Sequence, residues 1–161
     1  MRTIPYLLYL LLVAFHEVIL RDVTAFYGIT INLPAIIVLI IALHKSELTA
    51  AWFGFVVGVV MSAGNPQVMG WNALVLSILA VVAFHARERL NLDSFAARMI
   101  LVIGGVLIHN VVSILVNQSS EFVYQLWRLA LSGTLYTGVV ATLFLMVLES
   151  RRSSKQARTL F

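Results

Sequence analysis

Two adjacent polar pairs interrupt otherwise apolar stretches of the chain. His16 and Glu17 are followed within one helical turn by Arg21 and Asp22, and His109 and Asn110 are followed by Ser113, four residues from His109 and on the same helical face. Ionisable groups inside apolar runs are costly to desolvate and often carry function, so an imidazole beside a carboxylate or an amide could relay a proton or hold a ligand. A structural role is equally open to both pairs. His16 and Glu17 fall near the end of their run, where an interfacial polar cluster would serve. His109 and Asn110 lie deeper, and hydrogen bonds between helices, about 0.6 to 2 kcal/mol each in a membrane, explain them as well as ligand contact does. Arg128 stands alone in a third apolar run, free to snorkel outward or to pair with Glu17 or Glu121.

Recognisable catalytic spacings are missing. No serine sits in a Gly-x-Ser-x-Gly setting, and no His-Glu-x-x-His is present to hold zinc. With no cysteine the chain has no thiolate nucleophile, no disulfide and no zinc–cysteine site. No pair of carboxylates occupies the middle of an apolar run, as ion-coupled pumping would require. The expectation is a protein with no catalytic residue, no metal and no cofactor.

The elements that position these residues follow from composition. Of 161 residues, 61% are apolar and only 11% charged, with a mean hydropathy of +0.97. Eleven Lys and Arg with seven Asp and Glu cannot cover the surface of a soluble domain of this length. A soluble enzyme is excluded on that ground, and the reading is an all-α integral membrane protein. The pI near 9.9 does not point to nucleic acid, because the basic residues cluster at the ends of apolar runs and report topology.

A spanning helix needs about 20 largely apolar residues. Six candidates are found, at about 4–20, 23–43, 48–63, 70–84, 95–116 and 122–148, forming one helical domain over 1–149 with a basic tail at 150–161. The first resembles a signal-peptide core but lacks a small-x-small cleavage site and is read as a mature helix. Pro34 either kinks the second or marks its true start. Several runs are short, leaving room for one re-entrant or kinked span. With six spans, Arg2, Lys45, Arg87, Arg89, Arg98, Arg151, Arg152, Lys155 and Arg158 share one side, against Arg21 and Arg128 on the other. Cytoplasmic loops retain positive charge, so both termini are expected in the cytoplasm.

Small residues form the clearest pattern. Ala50, Gly54, Gly58 and Ser62 recur every four residues in the third run. In the sixth, Ala130, Thr134, Gly138 and Thr142 make one row, and Gly133, Thr137 and Ala141 the row beside it. Such grooves admit another helix to backbone contact, either the protein's own or a partner's.

The stretch Gly54-Phe55-Val-Val-Gly58, a polar break, then Gly70-Trp-Asn-Ala73-Leu74 resembles the core motif of the MreD family of bacterial rod-shape-determining membrane proteins, and so does Asn32-Leu-Pro34 before an aliphatic run. The similarity covers about residues 30–90. Many members carry an aspartate where this chain has Ser62, so any ligand or charge pair served by that acid is absent here. The resemblance implies a non-enzymatic scaffold in the bacterial inner membrane, as part of the elongation machinery. Its partners would be an MreC-like bitopic protein, RodA, a class B penicillin-binding protein and MreB filaments, and a homodimer is left open. The family's fold is thought to be similar to that of the substrate-binding subunits of energy-coupling-factor vitamin transporters, which makes a vitamin-binding subunit the alternative. Against it, such subunits usually carry Ala-x-x-x-Ala on an early helix, whereas the first run here has only Ala14 in its core.

Overall fold

The structure, a computed structural model, describes residues 4–25, 27–89, 94–116 and 122–158. Among them the chain is all-helical, without a strand. Its elements are α1 (Ile4–Phe15), a π-helical stretch (His16–Leu20), α2 (Arg21–Val23), α3 (Leu33–His44), α4 (Glu47–Met61), α5 (Pro66–Arg89), α6 (Phe95–Val116), α7 (Phe122–Gln125), a second π-helical stretch (Leu126–Leu131) and α8 (Ser132–Arg158). The π stretches run on from their neighbours, so the elements make six rods. Two helices, α5 and α6, are long and apolar enough to cross a membrane.

α3 is the centre. Every residue from Pro34 to Leu43 is buried, one of the two settings, with lipid, that suit a helix apolar on all sides. Its start is set chemically. Asn32 is the N-cap, its side-chain oxygen accepting from the Ala35 N–H at 3.2 Å, and Pro34 sits in the first turn, where its missing N–H has no helical partner to lose. Pro34 therefore marks a start and not a kink. The span expected over 23–43 is corrected to Leu33–His44. Residues ahead of it leave the helix through Tyr27 and Gly28, with φ of 52° and 79°. At 12 residues α3 is about 18 Å long, short of the roughly 30 Å of a bilayer core.

Other boundaries also move. α5 begins at Pro66 and runs to Arg89, beyond the expected 70–84. Proline is well placed at the first helical position, and Arg87 and Arg89 in the last turn face the negative end of the helix dipole. The first rod continues to Val23, α4 ends at Met61, and α8 extends helically to Arg158, through most of the expected tail.

Three contacts between rods fix their positions. Arg87 Nη1 donates to the carbonyls of Ala42 and Lys45, at 3.2 Å each, capping the end of α3 from α5. The Lys45 ammonium lies 5.7 Å from the centre of the Tyr6 ring, bringing the start of α1 to the same end of the bundle. Gly105 of α6 leaves room for Leu39 of α3: a Cβ there would stand 2.7 Å from Leu39 Cδ2.

Candidate functional site

Asn32, His109, Asn110, Thr134 and Thr137 meet at the opposite end of the bundle, around the N-terminus of α3. Asn32 is the hub. Its backbone N–H donates to Thr137 Oγ1 of α8 at 3.1 Å. Its side-chain Nδ2 donates to Asn110 Oδ1 and contacts His109 Nδ1, both on α6 and both at 2.8 Å. Asn110 Nδ2 in turn donates to Thr134 Oγ1 of α8 at 3.2 Å. Three rods are thereby tied at one level by side chains that are mostly buried.

The network assigns the protons. Since Asn32 Oδ1 accepts from the Ala35 N–H, the amide cannot be flipped, and the group facing His109 Nδ1 is an NH2 donor. Nδ1 must then be an acceptor, which makes the imidazole neutral with its proton on Nε2. In that form His109 can donate from Nε2, but neither nitrogen is free to take a proton from a nucleophile. The arrangement suits binding and bracing better than general-base chemistry. His109 is 1% exposed, and its Nε2 has no hydrogen-bond partner within the protein.

A cavity of about 310 Å³ adjoins this network. Glu17 and Arg21 of the first rod line it together with the segment Gly28–Asn32, Met61, His109, Asn110, Ser113, Ile114 and Gly133. Glu17 and Arg21 form an ion pair at 3.0 Å, the carboxylate 10% exposed and the guanidinium 51%. His16, one residue before, is buried, and its Nδ1 lies 3.8 Å from Glu17 Oε1.

Of the polar residues singled out in the sequence, Glu17, Arg21, His109, Asn110 and Ser113 share this cavity, with Gly133 from the α8 row. Arg128 lies in the second π-helical stretch by its backbone. Its side chain, Glu121 and Arg2 lie outside the described residues, and so do the side chains of the basic residues at 151–158. Asn32 is the residue whose part in a site the sequence does not disclose. The signal is an amide two positions before a proline that opens an apolar run, a helix-capping pattern, but nothing local tells that the amide also reaches His109 and Asn110.

The small-residue grooves lie elsewhere and are filled from within. A Cβ on Gly54 would meet Leu76 O at 2.6 Å, and one on Gly58 would meet Ala73 Cα at 2.4 Å, so α5 rests directly on the backbone of α4. Ala50 and Ser62 are buried, and Ser62 Oγ accepts from Asn72 Nδ2 at 2.7 Å. On α8, Gly138 faces Ile103 of α6, whose side chain a Cβ would approach to 3.5 Å. Of the two occupants the spacing leaves open, the α4 groove receives the protein's own α5, and Gly138 of the α8 row packs on α6. Motif residues divide accordingly: Pro34, Gly54, Gly58 and Ala73 are buried, whereas Phe55, Gly70 and Leu74 face outward.

No protein-family model matches the chain, and no curated protein or solved structure is significantly similar to it.

Proposed function

We propose that the chain is a multi-pass protein of the bacterial inner membrane and a non-enzymatic scaffold of the cell-elongation machinery, as its resemblance to the MreD family implies. The observation that carries this reading is that the two halves of the motif form one unit. Gly58, from the first half, lies against the backbone of Ala73, from the second, so residues 15 apart in sequence act as a single α4–α5 hairpin. The outer faces agree with immersion in lipid: Leu7, Leu11, Trp52, Ile78, Ile108, Leu135 and Leu143 are all more than half exposed, a load of apolar surface that aggregates in water.

In this reading the six rods span or enter the bilayer, with both termini and the Lys45 and Arg87 end in the cytoplasm. The scaffold binds an MreC-like bitopic protein through the outward apolar faces, because both small-residue grooves are already occupied. RodA, a class B penicillin-binding protein and MreB join through that assembly. The test is affinity purification of the tagged chain from its native membranes, with copurifying proteins identified by mass spectrometry. Recovery of a bitopic MreC-like protein supports the reading, and recovery instead of the ATPase and scaffold subunits of a vitamin transporter overturns it in favour of a substrate-binding subunit.

A further inference from the structure

We infer that the groove between α1 and α4 seats one anionic phospholipid, with an acyl chain in the groove and the phosphate on Lys45. The inference rests on the membrane reading of the chain and goes beyond its role as a scaffold.

The groove has a volume of about 370 Å³ and is walled by two rods alone. Tyr6 and Leu10, four apart, come from α1; Leu48, Trp52 and Val56, again four apart, come from α4, with Phe53 beside them. At 1.5 Å per residue the α4 wall is about 12 Å long, most of the roughly 15 Å of hydrocarbon in one leaflet. About 370 Å³ over that length is a mean section of roughly 30 Å², against about 80 Å² for a helix 10 Å across. A partner's helix would lie over such a slot and leave it unfilled, whereas a flexible hydrocarbon chain enters it. The polar side-chain groups of the wall are the hydroxyls of Tyr6 and Thr49. Thr49 is already bonded to Ser46 Oγ at 2.9 Å, and the Tyr6 phenol is a neutral donor that suits a phosphate oxygen.

Charge places the headgroup. α1 and α4 both begin at the Lys45 and Arg87 end, so the groove runs from that end toward the middle of the bilayer. Lys45, the C-cap of α3, is exposed, and no carboxylate pairs with it among the described residues. Its ammonium lies 5.7 Å from the centre of the Tyr6 ring, at the end of the groove, a contact that steadies the charge without neutralising it. Arg87 adds a second cation, with Nη1 3.2 Å from the Lys45 carbonyl oxygen. The nearby carboxylates are engaged elsewhere: Glu47 and Glu88 lie 3.4 and 3.8 Å from the two ring nitrogens of His85 on α5, and neither lines the groove. Two cations without an acidic partner, at one end of an apolar slot, match the phosphate and the acyl chain of an anionic lipid. A zwitterionic lipid would bring its own cation toward Lys45 and gain less.

Trp52 lines the groove and reports on it directly. The chain has three tryptophans, so Trp71→Phe with Trp127→Phe leaves Trp52 as the one fluorophore. The protein is reconstituted in phosphatidylcholine vesicles containing a minor share of phosphatidylglycerol, with bromine on the acyl chains of one lipid or the other, because bromine quenches indole on contact. Quenching of Trp52 should show a preference for the brominated phosphatidylglycerol of at least about fivefold over its share of the bilayer, the worth of one lysine at an anionic headgroup. Lys45→Gln should remove the preference and Lys45→Arg should keep it. Val56→Phe, which fills the slot and leaves the charges, should reduce it. A matching protein whose one tryptophan is Trp71, exposed near the opposite end of α5, should show no preference. Equal quenching of Trp52 by the two lipids, or a preference that survives Lys45→Gln, overturns the proposal and leaves the membrane reading standing. A preference untouched by Val56→Phe overturns the groove as the seat of the chain. If neither lipid quenches Trp52 or Trp71, the membrane reading itself fails and the proposal falls with it.

Discussion

Asn32 and His109, 77 residues apart, are joined by a 2.8 Å contact in which the asparagine amide donates to Nδ1 of the imidazole. The same asparagine caps α3 through its other side-chain atom, so a helix start and an interhelical bond are set by one residue. Neither can be changed without the other unless the replacement caps but is too short to reach.

Asn32→Ser is such a replacement. Serine caps a helix about as well as asparagine, so the α3 start is retained, but the hydroxyl cannot span to α6. His109 Nδ1 is then left as a buried acceptor, costing about 1 to 3 kcal/mol when unsatisfied, and the partly buried Asn110 Oδ1 loses its donor as well. Unfolding in mixed detergent and dodecyl sulfate micelles should show a loss of at least about 1 kcal/mol, shrinking when His109→Phe is already present, because contacting residues are not additive. Equal stability of Asn32→Ser and the parent would reduce the network to capping alone.

The close approach of α4 and α5 predicts an asymmetry between Gly58 and Gly70 of the motif. A methyl group at Gly58 would meet the Cα and N of Ala73 and the carbonyl of Asn72, at 2.4 to 2.5 Å, and backbone cannot rotate away as a side chain can. Gly58→Ala should cost about 1 to 3 kcal/mol, as overpacking does. Gly70 has nothing within 4 Å of its missing Cβ, so Gly70→Ala should be neutral or stabilising by up to about 1 kcal/mol. Melting temperatures of the two purified variants would check this. Because the groove is internal, Gly58→Leu should appear as aggregation or degradation and not as a stable protein that has lost its partner.

What the sequence discloses and what it hides can be read from these residues. Hydropathy marks the apolar runs well, and the four-residue spacing of Gly54 and Gly58 by itself announces a close helix contact. It does not say whose helix. That depends on α5 returning along α4 after the turn at 62–65, a tertiary fact. Pro34 shows a second limit: a proline in an apolar run starts or bends a helix with the same local chemistry, and only the capping bond from Asn32 decides. Apolar runs also conceal where a helix ends. Arg87 and Arg89 read as loop residues because they are charged, yet they continue α5, since the last turn of a helix is where positive charge is stabilising. The cavity is the least legible feature, being lined by residues from the first rod to α8 that share no local pattern.

Orientation gives a third prediction. Arg87 reaches the carbonyls of Ala42 and Lys45, which places the ends of α3 and α5 together, and in the proposed orientation that end faces the cytoplasm. An alkaline phosphatase fused after Phe161 should be inactive, and one inserted at Gly64 in the α4–α5 turn should be active. An active fusion at the C-terminus would overturn the count of six spans and the placement of both termini.

The last prediction concerns Gly105 and Leu39, where the neighbour of a missing Cβ is the far end of a side chain. A Cβ on Gly105 would stand 2.7 and 2.8 Å from the two methyl carbons of Leu39, so Leu39 must change rotamer or α6 must move away from α3. Leu39 is fully buried in a helix packed on every side, and a side chain in such a place has few alternative rotamers that do not clash. Gly105→Ala should therefore destabilise, by about 1 kcal/mol, less than Gly58→Ala because a side chain yields more readily than backbone. The sign should reverse once Leu39 is truncated. Leu39→Ala alone leaves a cavity and should cost about 2 to 5 kcal/mol, and in that background the methyl of Gly105→Ala fills part of the space. Gly104→Ala, with nothing within 4 Å of its added methyl, is the control for helix propensity, and its effect should be the same in both backgrounds. Four unfolding measurements for each glycine close the cycle. If Gly105→Ala destabilises equally with and without the Leu39 side chain, α3 and α6 are not in register at this level, and the packing of the central helix against α6 is wrong.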